Sequence, residues 1–259
     1  MFIQARHVRI SQLEVSNSRC GKLEDNLRTP SQKIAFTSYE RDRTPLNAIT
    51  PEFITETYGI PREGPYYQTD WSRAFFKMPL CHEFKKHDGE INYAEIEACF
   101  KKLQEIDDYL VSKEFRVQLF GEKHADRYEY QPIARAVQDL EDTENYFRPP
   151  YAKFKLELAY DDDTPAFKVF DKKEGVRTEV ELNSFKEALQ HIRYMTKHRM
   201  VINFSKLYAM KTSSGNEKKK YGIVLKATAV ECSSQSTTHA PFYLTTTDSI
   251  YDQNDLNIY

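Results

Sequence analysis

The chain predicts an α+β fold: short antiparallel strands around a core, one capped helix inserted among them, a polar extension in front and an acidic tail behind. Three observations predict it. Ala152, Phe154, Leu156 and Leu158 alternate with Lys153, Lys155, Glu157 and Ala159, the period of two that marks a strand with one buried face. Ser184 is followed three residues later by Glu187, a capping box that opens a helix with the apolar stripe Phe185, Leu189, Ile192 and Met195. Two long strand-like runs, Met200 to Lys211 and Tyr221 to Cys232, are joined by TSSGNEKKK, which predicts an antiparallel hairpin with a basic tip. Strand, strand, strand, capped helix, strand, strand is the order of a small Greek-key barrel of the OB kind. An α+β sandwich uses the same parts.

The other elements follow in chain order. Residues 1–30 are polar and weakly patterned, a flexible arm or an edge strand; residues 31–232 form the OB-like domain; residues 233–259 form the tail. Lys33 to Tyr39 reads as a strand. Pro45, Pro51, Pro61 and Pro65 with Gly59 and Gly64 mark a loop lying on the core. Trp71 to Leu80 suggests an irregular strand. A helix is expected to open at Asp88-Gly89, with Ile96, Cys99, Phe100, Leu103, Ile106 and Leu110 on one face and Glu105, Asp107 and Asp108 turned elsewhere. Phe115 to Phe120 and Arg127 to Val137 are expected as strands, the second broken by Pro132. An acidic stretch, Leu140 to Tyr146, follows. Asp161 to Asp163 make a turn, Ala166 to Phe170 returns from it, and Arg177 to Leu182 is a further strand.

Net charge is −2 over 259 residues, so no global basic field points to a polyanion. The distribution is uneven. Phe185 to Lys226 holds ten Lys/Arg against two acids, whereas Ser233 to Tyr259 holds three acids and no Lys or Arg. Arg193, Lys197, Arg199, Lys206, Lys211, Lys218, Lys219, Lys220 and Lys226 make up most of the basic run. Within it, Phe204, Lys206, Tyr208 and Met210 are expected on one strand face, and Tyr221, Ile223 and Leu225 on one face of its partner. A lysine beside an aromatic ring offers phosphate neutralisation next to a stacking surface, the combination that sequence-independent single-strand binding uses. Asp248, Tyr251, Asp252, Asp255 and Tyr259 give the tail an acidic, aromatic-ended character, suited to docking replication proteins or covering a basic groove.

No nucleophile elbow, phosphate loop, dinucleotide fingerprint or HExxH pair occurs, so no catalytic centre is nominated. Cys20, Cys81, Cys99 and Cys232 lie too far apart for CxxC chemistry, and Cys81, His82 and His87 lack a fourth ligand. No cofactor or metal is expected. No apolar run reaches the ~20 residues of a membrane span, which leads to the expectation of a soluble intracellular protein.

The succession Tyr58-Gly-Ile-Pro61, Tyr130-x-Pro132-Ile133-x-Arg135, Pro149-Pro-Tyr-Ala-Lys153-Phe-Lys155-Leu156, Lys206-Leu-Tyr208 and Lys220-Tyr-Gly222-Ile-x-x-Lys226 resembles a family of single-stranded-DNA-binding proteins of nucleocytoplasmic large DNA viruses. The resemblance spans residues 30 to 232. It implies an OB-fold related to phage replication single-strand-binding proteins, with single-stranded DNA as partner and a role in replication or recombination. It also implies a DNA surface of Lys153, Lys155, Lys206, Tyr208, Tyr221 and Lys226. The sequence leaves a homo-oligomer open. Tyr208 stands where that family pattern would carry a larger indole ring. The alternative is a virion or scaffold protein whose aromatic surface and tail serve protein contacts.

Overall fold

The computed structural model describes residues 2–10, 13–16, 23–39, 45–55, 59–80, 91–135, 150–159, 161–193, 196–215 and 217–233. The tail residues Asp248, Tyr251, Asp252, Asp255 and Tyr259 lie outside them. So do Cys20, Tyr58, Cys81, His82, His87, the Asp88-Gly89 helix opening, the 140–146 acidic stretch, and Met195.

In chain order the first strands are β1 (Phe2–Gln4), β2 (Leu13–Ser16), β3 (Glu24–Asp25), β4 (Gln32–Tyr39), β5 (Leu46–Ile49) and β6 (Phe53–Ile54). A short helix, α1 (Asp70–Arg73), leads to β7 (Phe75–Pro79) and then to α2 (Tyr93–Val111) and α3 (Lys113–Phe120). Four short strands follow: β8 (Tyr128–Gln131), β9 (Ala134–Arg135), β10 (Tyr151–Leu156) and β11 (Lys168–Lys173). The chain then runs through β12 (Val176–Val180), α4 (Phe185–His191), β13 (Lys197–Met210) and β14 (Lys219–Ser233).

The last hairpin is the spine. β13 and β14 pair antiparallel along nearly their whole length. The free edge of β13 is shared end to end by β4, β5 and β6, all antiparallel to it. The free edge of β14 is shared by β8, β10 and β11, all parallel to it. The sheet is therefore mixed, not antiparallel throughout. From β1 at one end to β7 at the other it stays open among the described residues, and no barrel closure is seen. Of the two readings of residues 1–30, the edge strand fits the described part: β1 pairs β5, β2 and β3 pair β4, and Ala5, Val8 and Leu13 are buried. No described helix is long and apolar enough to cross a membrane.

The helices explain where the sequence reading failed. α2 starts at Asn92, whose side chain accepts a hydrogen bond from the Glu95 amide, so the cap stands after the expected Asp88-Gly89. Its buried stripe is Ile96, Cys99, Leu103, Ile106 and Leu110 as expected, but Asp107 joins it instead of facing away. Phe115 to Phe120 is helix, not strand. Ser112 caps it by accepting from the Phe115 amide, and Phe115 and Leu119, four residues apart, are the buried pair. The expected strand from Trp71 is α1 up to Arg73, with a Thr69/Ser72 capping box, and strand only from Phe75. At α4 Ser184 accepts from the Glu187 amide, while the Glu187 carboxylate reaches the amide of Asn183, one residue before the cap.

α2 and α3 lie on the face of the spine that carries Tyr221. That tyrosine is wholly buried, donates its hydroxyl to the Leu110 carbonyl at 2.6 Å, and meets the rings of Phe120 and Tyr130. Asp107 fastens the turn between β8 and β9 to α2. It accepts from the Tyr130 hydroxyl at 2.7 Å and from the Ile133 and Ala134 amides at 2.8 and 3.0 Å. Burial raises its carboxyl above the ordinary range, and these hydrogen bonds oppose the rise. Burial pushes the Cys99 and Cys232 thiols up to about 12, which leaves both protonated and inert. Burial between Phe53 and Phe76 lowers His198 to about 4, so it is a neutral core residue.

Candidate functional site

The opposite face of the spine is set by two irregularities. The register of β13 against β14 shifts between Val201 and Ile202 and again between Phe204 and Lys206. The second shift inserts Ser205 as an extra residue and reverses the alternation. Phe204, Leu207 and Ala209 consequently point into the core, while Lys206, Tyr208 and Met210 share the outer face. Phe204 was expected with Lys206; the bulge separates them. On β14 the outer face carries Lys220, Gly222, Val224 and Lys226, leaving Tyr221, Ile223 and Leu225 on the inner one.

Register then extends this outer face across the sheet. Lys226 stands opposite Lys155 of β10, Lys153 stands opposite Lys77 of β7, and Lys206 stands opposite Phe36 of β4. Five lysines from four adjacent strands share one surface. Rings are interleaved with them: the Lys153 ammonium lies 3.7 Å from the Phe75 ring centroid, Lys77 4.5 Å from Tyr151, and Lys155 5.7 Å from Trp71. Lys226 bonds Glu157 at 2.7 Å. Burial first, then the positive charges of Lys226 and Arg28, hold the Lys155 amine below the ordinary lysine range, and Glu157 opposes this. Lys206 is lowered by burial first and then by Lys226, Lys155 and Arg28. These amines are close enough to repel one another, and among the described residues Glu157 is the carboxylate acting on both.

The sequence-nominated residues divide accordingly. Lys153, Lys155, Lys206 and Lys226 come together, with Lys220 further along the same face opposite Glu129. Tyr208 is on this face but only 6 % exposed. Its ring lies over Gly222, where an added Cβ would meet the tyrosine hydroxyl at 3.1 Å, so Tyr208 has no open face for stacking. Tyr221 belongs to the core on the other side and is withdrawn from the surface. Arg193 turns back to donate to the Gln190 carbonyl of its own helix turn. Lys197 and Arg199 sit at the far end of β13, where Arg199 pairs with Glu52 at 3.4 Å. Lys211 is engaged by Asp25 at 2.9 Å, and the hydrogen bond and charge of its ammonium hold that carboxyl below its usual range. Lys218 is exposed near the hairpin tip, and the Lys219 ammonium is 5.9 Å from the Tyr128 ring centroid.

Sequence reading missed Arg28, Phe36 and Lys77. The signal for Lys77 is present: Phe76, Met78 and Leu80 alternate with Phe75, Lys77 and Pro79 once the strand is placed. Phe36 carries no such signal, because Ile34 and Phe36 are as apolar as Ala35 and Tyr39. Among the described residues no group of three or more His, Cys, Asp or Glu is arranged to hold a metal ion.

No protein-family model matches the sequence. Over 202 residues, 67 % of its length, the chain is 26 % identical to an uncharacterized protein of Acanthamoeba polyphaga mimivirus. The match covers 47 % of that viral protein, so the chain spans about half the length of the relative it matches.

Proposed function

We propose that this protein binds single-stranded DNA without regard to sequence, as an accessory of viral DNA replication or recombination. The observation that carries the reading is the outer face itself: Lys77, Lys153, Lys155, Lys206 and Lys226 gathered from four strands, with rings between them. Lys155, Lys206 and Lys226 share Glu157 as their carboxylate, so positive charge is in excess there, and a phosphate backbone would balance it. Lysine and flat rings offer no fixed pattern of donors and acceptors to read base edges, which favours binding without sequence preference. The OB-like character belongs to this reading as well, since β10, β11, β12, α4, β13 and β14 follow the element order of that barrel. Likeness to a mimivirus protein supports a viral setting.

Fluorescence polarisation of labelled oligo-dT with the full chain at two salt concentrations tests the proposal. Binding should be tight at low salt and fall steeply as salt is added. Lys206→Ala and Lys226→Ala should each reduce the salt slope by about one unit. Absence of binding at low salt would favour the scaffold alternative.

A further inference from the structure

With Tyr208 and Tyr221 buried, the stacking half of the proposed site needs another ring. Phe75, Tyr151 and Tyr208 face the lysines but are 3 %, 2 % and 6 % exposed. Trp71 is half-buried, its indole donating to Asp163. Phe36 differs from all of them. It is 52 % exposed in the middle of β4, a strand in which Ala35, Thr37, Ser38 and Tyr39 are buried. A phenylalanine left half in water forgoes much of the stabilisation that burial of such a side chain gives, so the fold does not account for it.

Its neighbours are those a nucleotide requires. Lys206 is its register partner on β13; Val224 stands opposite Lys206 on β14, with Lys226 two residues along on the same face and Lys155 opposite Lys226 on β10. At about 4.8 Å per strand, three steps make a track roughly 14 Å across, room for a short run of nucleotides. Arg28 is close enough to lower the basicity of both Lys155 and Lys206, and it borders the same track beside Leu27, which is 94 % exposed.

We infer that Phe36 is the ring on which an unpaired base stacks, so that the lysines set the strength of binding and Phe36 sets the preference for single strands. This rests on the nucleic-acid reading above. A duplex presents phosphates to the lysines but keeps its base faces inside the stack, so the ring adds nothing there. In a single strand every base has a free face, and one stacking contact contributes ~1–3 kcal/mol whatever the base.

The test compares wild type, Phe36→Leu and Phe36→Trp, each as the full chain, on oligo-dT and on a duplex of equal length at two salt concentrations. Leucine keeps apolar bulk and removes the flat face. Phe36→Leu should lose about 5- to 150-fold in affinity for oligo-dT, as loss of one stacked base predicts. Its duplex affinity, salt slope and melting temperature should stay at wild-type values. Phe36→Trp should bind oligo-dT at least as well as wild type. If wild type prefers single strands and Phe36→Leu keeps that preference, the role of Phe36 is overturned while the DNA-binding reading stands. If wild type binds neither oligonucleotide, the DNA-binding reading falls first and takes this inference with it.

Discussion

At one end of the β13–β14 spine, Lys172, Arg177 and Arg199 share two carboxylates, Glu52 and Glu231. Nearer its middle, Lys155 of β10 with Lys206 and Lys226 share one, Glu157. The first group is a clamp: Lys172 meets Glu52 at 3.3 Å and Glu231 at 3.5 Å, Arg199 meets Glu52 at 3.4 Å, and Arg177 pairs with Glu231. These ion pairs tie β11, β12, β13, β14 and the segment between β5 and β6 together around a carboxylate that is only 8 % exposed. The second group has the reverse arrangement. Lys155 and Lys206 are partly desolvated and lie near like charge, which lowers their basicity. Both groups are basic stretches on the same sheet. On the proposed reading, what separates fold from function is where the counter-charge sits, in the chain or outside it.

The largest expected effects set the two groups against each other. Changing Lys155, Lys206 and Lys226 together to Ala should lower the salt slope of oligo-dT binding by about three units, close to one for each phosphate no longer neutralised. The melting temperature should not fall. Changing Lys172, Arg177 and Arg199 together should do the opposite, because Glu231 is left buried without its partners, a loss on the order of 3 kcal/mol. Oligonucleotide affinity of the folded fraction should then stay near wild type. Equal loss of binding in both triple variants would dissolve the distinction.

A smaller effect sharpens it. Glu157→Gln removes the one carboxylate among the second group and frees Lys226, bonded to it at 2.7 Å. Affinity for oligo-dT should rise about fivefold at low salt, as expected for ~1 kcal/mol from one unit charge in a largely solvated setting, and the gain should shrink as salt screens it. Unchanged affinity in the titration would place Glu157 and Lys226 outside the DNA interface.

The contrast between the two groups was only half legible in the sequence. The basic run from Arg193 to Lys226 is plain in the residues, and so is the hairpin that carries it. Its division into a clamp and an open surface depends on Glu52 and Glu231, which are brought to Arg199 by tertiary pairing. It depends also on the extra residue at Ser205, which moves Lys206 away from Phe204. One inserted residue exchanges the two faces of a strand, and no periodicity argument anticipates that. The strand misread over Phe115 to Phe120 has a local cause: FRVQLF satisfies alternation and a four-residue step equally well, and the Ser112 cap decides for helix. Lys153 and Lys155 were legible because β10 has unbroken alternation. Phe36 was not, because exposure of an apolar residue is a property of the assembled sheet.

The smallest expected effect comes from proton linkage. In the folded protein the Lys155 and Lys206 amines titrate below the ordinary lysine range, burial being the main cause and like charge the next. Unfolded, they would titrate near ~10.4. Between those two values the unfolded chain holds more protons than the folded one, so stability rises with pH across that window. Binding behaves the other way, since a phosphate is neutralised only by the charged amine, and affinity should fall across the same window. Raising the pH toward ~10.4 should therefore weaken oligo-dT binding in the range where this group's contribution to the melting temperature is increasing. Lys206→Arg supplies the control, because a guanidinium stays protonated throughout. It should flatten both trends, and the difference between wild type and this variant isolates the lysine from every other group that titrates there. If that difference has the same sign for melting temperature and for affinity, the charged amine of Lys206 supports the fold, and the lysine surface works like the clamp.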